Sequence, residues 1–355
     1  MEISFVDNKK DLNQWAKKLD ISKEAIEVYA DSDVIDLHVD SFIWKRILNY
    51  DLFKRHENKF YFPPFLNHLD FPRALEAGLT GAMWSITTNP LKSDKSRQKS
   101  FLQNFKKIHS LFESTDNKFK VVRNIKDYQK NKEENRHSVF LSIQGGNSLG
   151  DDFNVLDLID DSLIRVTLLH FTKSSFGFSS VPKKGETGLT TKGLEFVEKL
   201  NSKKIFVDLA HISEKGFFDA LEVHSKSLPP IVTHTGVKDL CSHWRNLTNK
   251  QIKMISDRGG VIGVMFQKYF LDDNKSGRTI ERVVDHIEHI INIGGEDCPA
   301  IGSDFDGMIM PPKGLESCLD LPKLSQEMLN RKWSHTRIQK VLGKNFLNSF
   351  SQLRP

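Results

Sequence analysis

The chain has 355 residues, of which 38% are apolar and 27% charged, and 51 basic against 46 acidic side chains leave a formal charge of +5. With a mean hydropathy of -0.41, this is the composition of a globular protein able to bury a sizeable core, and it excludes a disordered chain. Basic residues gather at Lys106 and Lys107 and from Lys118 to Arg123, but no nucleic-acid signature accompanies them, so no nucleic-acid partner is expected.

Three cysteines, Cys241, Cys298 and Cys318, are too few and too widely spaced for a disulfide framework or a Cys-based zinc site. An odd count suits a reducing compartment, and a cytoplasmic location is expected. The N-terminal MEISFVDNKKDLNQWAKKLD has no apolar signal region, no stretch approaches the ~18 apolar residues of a spanning helix, and SFSQLRP is no lipid-anchor tail; no membrane attachment is expected.

Residues 1–31 read as an N-terminal helical extension. A series of short apolar runs then reads as buried parallel strands: VIDLHVD from Val34, LTGAMWSIT from Leu79, VFLSIQGG from Val139, LIRVTLLH from Leu163, KIFVDLAH from Lys204, PPIVTHT from Pro229, GGVIGVMF from Gly259 and CPAIGSD from Cys298. Helical patterns lie between them at Lys95 to Phe112, Thr191 to Leu200, Ser213 to His224 and Thr279 to Ile293, with Thr191, Ser213 and Thr248 as start signals. Closing helices are expected at Lys323 to Leu329 and His335 to Leu342. About eight strands alternating with helices predict an α/β fold, a TIM-type (β/α)8 barrel over residues 32–350 that forms a single domain with the extension. A doubly wound open sheet is disfavoured, because no Gly-rich phosphate fingerprint follows the first strand. Thr172 to Thr190 and Pro311-Pro312 read as loops at the barrel's mouth.

His38, Asp40, Gln144, His170, His211, His234 and Asp304 each fall at or just past the C-terminal end of an expected strand, and in a barrel those ends converge on the face where active sites are built. His38 and Asp40 alternate, so both side chains point one way. Together with His211 and His234 they offer imidazole and carboxylate donors suited to zinc; a buried His-Asp hydrogen bond without metal is the alternative. Asp304, in GSDFDG, can accept a proton from metal-bound water and deliver it to a leaving amine. Asp306 is read as shaping the turn, and the remaining histidines as surface or packing residues in helices or loops.

The ordered set DLHVD, IQGG, TLLH, VDLAH, VTHT, HWRN and GSDFDG, from about Asp33 to near Phe350, is similar to the motifs of the membrane (renal) dipeptidase family. That resemblance implies a barrel with two zinc ions that cleaves dipeptides, His38 and Asp40 holding one ion and His211 and His234 the other. It implies Asp304 as acid/base, His170 as the group that polarises the scissile carbonyl, and Arg245 as the contact for the substrate carboxylate; read alone, Arg245 could equally be a surface salt bridge. The family's metal-bridging glutamate corresponds here to Gln144, and a following histidine to Asn147. A glutamine offers one neutral oxygen where the glutamate offers two anionic ones, so a single ion is favoured over two. Two other readings stay open: a one-metal reaction on another small amide or lactone, and an inactive barrel that binds a peptide-like ligand. A homodimer is also left open.

Overall fold

The computed structural model describes residues 2–57, 65–89, 92–181 and 187–355. Its strands are β1 (Ile35–Val39), β2 (Gly81–Ile86), β3 (Phe119–Val121), β4 (His137–Gln144), β5 (Leu163–Thr167), β6 (Phe206–Asp208), β7 (Ile231–Thr235), β8 (Val261–Val264) and β9 (Pro299–Ile301). All pair in parallel in the order β2-β1-β9-β8-β7-β6-β5-β4-β3, and a further β2–β4 pairing closes eight of them into a barrel. Each expected run forms one barrel strand, as continuous apolar segments buried on both faces should.

β3 was not expected. It pairs with the first residues of β4, Phe119 opposite His137, whereas β5 joins β4 only from Leu141 onward. β4 is the longest strand, and β3 takes up the edge that β5 leaves free. His137 therefore begins a strand rather than lying in a helix or loop, although its role is packing as expected.

The helices follow the sequence signals closely: Asp94–Glu113, Thr191–Ser202, Glu214–Val223 and Ile280–Gly294. Thr248 forms a full capping box with Gln251, and Ser213 caps Gly216. The cap at the Thr190-Thr191 pair is Thr190, which accepts from the Gly193 N–H, so Thr191 is the first helical residue. The extension holds helices Leu12–Leu19 and Lys23–Ala30, docked by the Tyr29 hydroxyl donating to the Ala77 carbonyl at 2.8 Å; Met1 lies outside the described residues, as do 182–186 of the expected loop.

The C-terminal end runs further than expected. Helix Pro322–Asn330 is followed by His335–Gln339, a π turn over Lys340–Lys344 and a last helix, Asn345–Leu353. Phe346 and Phe350 of this helix meet the Phe140 ring at 5.1 and 5.2 Å, and Arg354 donates to the carbonyls of Lys204, just ahead of β6, and of Leu163, the first residue of β5. The chain thus seals the N-terminal floor of its own barrel, leaving the opposite mouth for chemistry. Near that mouth β7 and β9 come so close that a Cβ on Gly302 would lie 1.8 Å from the Thr233 carbonyl oxygen; only glycine fits there.

Two buried histidines outside the site give the fold a pH dependence. The His137 Nδ1–H donates to the Leu79 carbonyl while its Nε2 accepts from the Trp84 indole, and His286 donates through Nε2 to Leu271 while accepting the Val237 N–H. Burial holds both down to about 4, against ~6.5 when unfolded. The unfolded chain therefore binds their protons first, so their contribution to stability is complete above ~6.5 and is lost progressively as pH falls towards 4. Urea unfolding at fixed ionic strength should give a free energy that falls over this window, by roughly 3 kcal/mol per histidine at its lower end. The fall should be shallower in His286→Gln; equal slopes in the two proteins would overturn the assignment.

Candidate metal centre at the barrel mouth

His38 is the penultimate residue of β1 with Asp40 just beyond the strand, Gln144 ends β4, His234 lies in β7, and His170, His211 and Asp304 follow β5, β6 and β9 by three residues each. All converge. The His38 and His234 rings stack with centroids 4.0 Å apart, His211 lies 4.8 Å from His234, and His170 lies 4.6 Å from His211. His38 and His211 thus flank one ring, inside the ~10 Å that a mono- or dinuclear site could span. The Nε2 atoms of His211 and His234 face each other at 2.8 Å, and donor atoms of His38, His234 and Asp304 all lie within 4.8 Å of one another.

The backbone is built to hold these groups. Asp36, buried beneath His38, accepts the N–H of both His38 and Ser303, and the Asp304 N–H reaches the His38 carbonyl at 3.1 Å. β1 and the turn after β9 are thereby locked together. His211, Asp304 and Asp306 all take left-handed backbone conformations, with φ of 63, 63 and 65°, the kind of local strain that concentrates at functional sites. Gly145, at φ 92°, stands where a Cβ would meet the His170 Cβ at 2.8 Å, so only glycine lets β4 turn beneath His170. Asp306 shapes the turn as expected: it accepts from the Ser41 hydroxyl and from the His68 N–H, and its own N–H donates to His68 Nδ1.

Sequence reasoning missed the layer below. Arg165, fully buried inside the barrel, pairs with Asp208 at 3.2 Å and donates through Nη2 to His38 Nδ1 at 2.7 Å. Asp208 also accepts the hydroxyls of Thr167 and Thr233, and Thr233 Oγ1 lies 2.8 Å from His234 Nδ1. A charge in the middle of an otherwise apolar strand was the available signal, because a buried charge requires partners.

This layer sets the tautomers. The Thr233 proton goes to Asp208, so its oxygen accepts from the His234 Nδ1–H and leaves His234 Nε2 with a free lone pair, the state a metal ligand needs. At His38 the reverse holds: Nδ1 accepts from a guanidinium that has only protons to give, so the proton of the neutral ring sits on Nε2. Gln144 completes that arrangement. Its amide nitrogen donates to the two Asp40 oxygens at 3.1 and 2.6 Å and its oxygen accepts from Nε2 of His38 and His170 at 3.2 and 3.3 Å, the orientation that avoids setting oxygen against carboxylate.

The donor set therefore divides. His211 and His234 fit a divalent ion: their Nε2 atoms converge, and burial and then nearby cationic and imidazole groups hold both rings well below the usual histidine range; Asp304 Oδ1, between His234 and His38 and 3.6 Å from His38 Nε2, is buried without a hydrogen-bond partner among the described residues. His38, Asp40 and Gln144 instead satisfy one another. Burial, then the neighbouring Asp40, pushes the Asp304 carboxyl well above its ordinary value, with Arg245 opposing.

Arg245 is buried, and no carboxylate lies within ion-pair distance of it among the described residues; it donates to the His234 carbonyl at 3.0 Å, and burial lowers it to about 10. The surface salt bridge is thereby excluded. Burial lowers His170 to about 3, so it is neutral at physiological pH. Asn147 donates to the Thr172 hydroxyl at 3.2 Å, away from the donor set. No helix among the described residues is long and apolar enough to cross a membrane.

The model of the family described as membrane dipeptidase (peptidase family M19) matches residues 22–354. An uncharacterised protein in the pqqA 5′ region of Klebsiella pneumoniae is 37% identical over 163 residues, 45% of this chain and 59% of that protein's length. Dipeptidase tcpJ of Claviceps purpurea is 27% identical over 291 residues, 79% of this chain and 68% of the relative. The crystal structure of dipeptidase AC, a metallopeptidase of family M19, superposes with a TM-score of 0.79 at 26% identity, covering 90% of this chain and 98% of that one. The barrel and the resemblance expected from the sequence are both borne out, and the chain belongs to the membrane dipeptidase family.

Proposed function

We propose that this protein hydrolyses the amide bond of dipeptides with the help of one divalent ion, zinc, held on the His211–His234 side of the mouth. The observation that carries the ion count is the split in tautomers: His234 presents a free Nε2, whereas His38 presents an N–H and is tied, with Asp40, to the Gln144 amide. A bound ion would lower the pKa of a coordinated water towards ~7 and polarise the substrate carbonyl.

The chain's own groups do the rest. Asp304, its pKa raised by burial, is poised to take a proton from the attacking water and return it to the leaving amine. The neutral His170 ring, whose Nε2–H makes only a long 3.3 Å bond to the Gln144 oxygen, can turn that N–H to the carbonyl oxygen as negative charge develops there. Arg245, buried and free of carboxylates, suits the terminal carboxylate of a dipeptide through its two-pronged guanidinium. Family membership in a group that includes proteins named dipeptidases supports the substrate class.

Elemental analysis of protein purified without chelator should give close to one zinc per chain, with dipeptide hydrolysis lost on chelation and restored by zinc. Two ions per chain would overturn the split. Absence of hydrolysis across a broad dipeptide panel by zinc-loaded protein would overturn the activity and favour an inactive binding barrel.

A further inference from the structure

Large apolar side chains left in water at the mouth need a reason. Phe171 is 55% exposed, Trp244 38%, Tyr269 41% and Met308 59%. Phe171, Trp244 and Met308 lie in loops and Tyr269 in the short helix Lys268–Leu271, each in the segment that follows a barrel strand at its C-terminal end: β5, β7, β9 and β8 in turn. β5 and β9 stand opposite each other in the ring of eight, so the loops that carry Phe171 and Met308 leave the barrel on opposite sides of its mouth.

Two of these residues are held there against their own backbone preference. Phe171 has φ 49° and Met308 φ 64°, left-handed conformations that bulky residues rarely adopt. Such strain persists only where the surroundings over-determine it. At Phe171 they do: the Ser179 hydroxyl donates to its carbonyl at 2.8 Å, and the Thr172 N–H closes onto the His170 carbonyl at 2.5 Å. The result sets the Phe171 ring 4.1 Å from the His170 ring and 5.1 Å from that of His211, with its remaining surface in solvent. An aromatic face fixed beside the reacting groups and open on the other side is a wall awaiting an apolar group.

We propose that Phe171 and Met308 form an apolar subsite that selects substrates bearing a bulky aliphatic or aromatic side chain. The proposal rests on the dipeptide-hydrolase reading and adds the class of dipeptide. The occupant is a substrate side chain because the Phe171 ring lies against His170 and His211, so a molecule bound at the reacting centre lies beside its open face.

The test is the ratio of kcat/KM for L-Leu-L-Phe to that for Gly-Gly. Wild type should favour the apolar dipeptide by roughly tenfold or more, and Phe171→Gly, which suits the left-handed backbone, should cut the ratio by about tenfold, with a smaller cut in Met308→Ala. A flat ratio in wild type, or one unchanged in both variants, overturns the subsite while leaving dipeptide hydrolysis standing. If no dipeptide is hydrolysed, the activity reading falls and calorimetric binding of the same two dipeptides decides: tighter binding of L-Leu-L-Phe that Phe171→Gly abolishes upholds the subsite, and equal binding overturns it. A concentration-dependent dimer that Phe171→Gly dissolves without changing either ratio would assign the rim to a contact between copies and overturn the proposal.

Discussion

Asp304→Asn should lower dipeptide kcat/KM by at least ~100-fold, the scale of a general acid/base contribution, while folding and zinc content stay close to wild type. The amide matches the carboxylate in shape, and the backbone that positions it is held independently by the bonds from the Asp304 N–H to the His38 carbonyl and from the Gly307 N–H to the Asp304 carbonyl. What changes is the ability to hold a proton. Burial and the neighbouring Asp40 push this carboxyl up, and replacing it by a neutral group removes a buried negative charge, so the variant should melt no lower than wild type. The measurements are steady-state kinetics with two dipeptides, zinc per chain and a thermal melt. Activity above about a tenth of wild type would remove Asp304 from the proton path. Loss of zinc together with activity would make its unpartnered Oδ1 a ligand and leave the proton to another group.

The barrel was legible because its strands are buried on both faces, and continuous apolar runs such as LIRVTLLH and GGVIGVMF announce that environment directly. β3 was not, because its three residues, FKV, lie within the basic stretch from Lys118 to Arg123 and carry no period; the fit to the spare edge of β4 makes them a strand. The last helix was missed although Phe346, Phe350 and Leu353 repeat at helical spacing, since its apolar face has meaning only against the barrel floor.

Convergence at the mouth was equally legible, because each candidate side chain follows an apolar run and a closed barrel brings those ends together. Their pairwise relations were not. That Arg165 reaches back to His38 Nδ1, from three strands away in the closed ring, depends on which interior side chains share a layer, and that is a property of the register. The spacing of His38 and Asp40 suggested a common direction, but their hydrogen-bond partners, Gln144 and Arg165, lie on other strands and could not be read from it. Phe171 was invisible for a different reason: an aromatic residue after TLLH reads as core, and only the fold shows it turned outward beside His170.

Gln144→Glu should raise bound zinc from close to one towards two per chain without a matching rise in hydrolysis. Two divalent ions ~3.5 Å apart repel by about 19 kcal/mol at an effective dielectric of ~20, and a bridging carboxylate is what offsets such a term where two ions coexist. The wild-type amide opposes a second ion twice over, since it brings no charge and its N–H groups occupy both Asp40 oxygens. A glutamate would release Asp40 and add an anionic oxygen between the two halves of the site. It would leave the Arg165 bond to His38 in place, so the second ion should bind more weakly than the first and be the first lost on dialysis. Because the first ion already supplies the attacking water in this reading and Asp304 is the single proposed proton carrier, the added ion should bring no further rate. Zinc titration followed by kinetics at each stoichiometry separates the cases: a rise in hydrolysis in step with the second zinc would mean that the wild-type protein is a two-ion enzyme limited by its missing carboxylate. Two ions already bound in wild type would mean that Asp40, Asp304 and a bridging hydroxide supply enough negative charge without one at Gln144, and that the Arg165–His38 bond gives way when metal arrives.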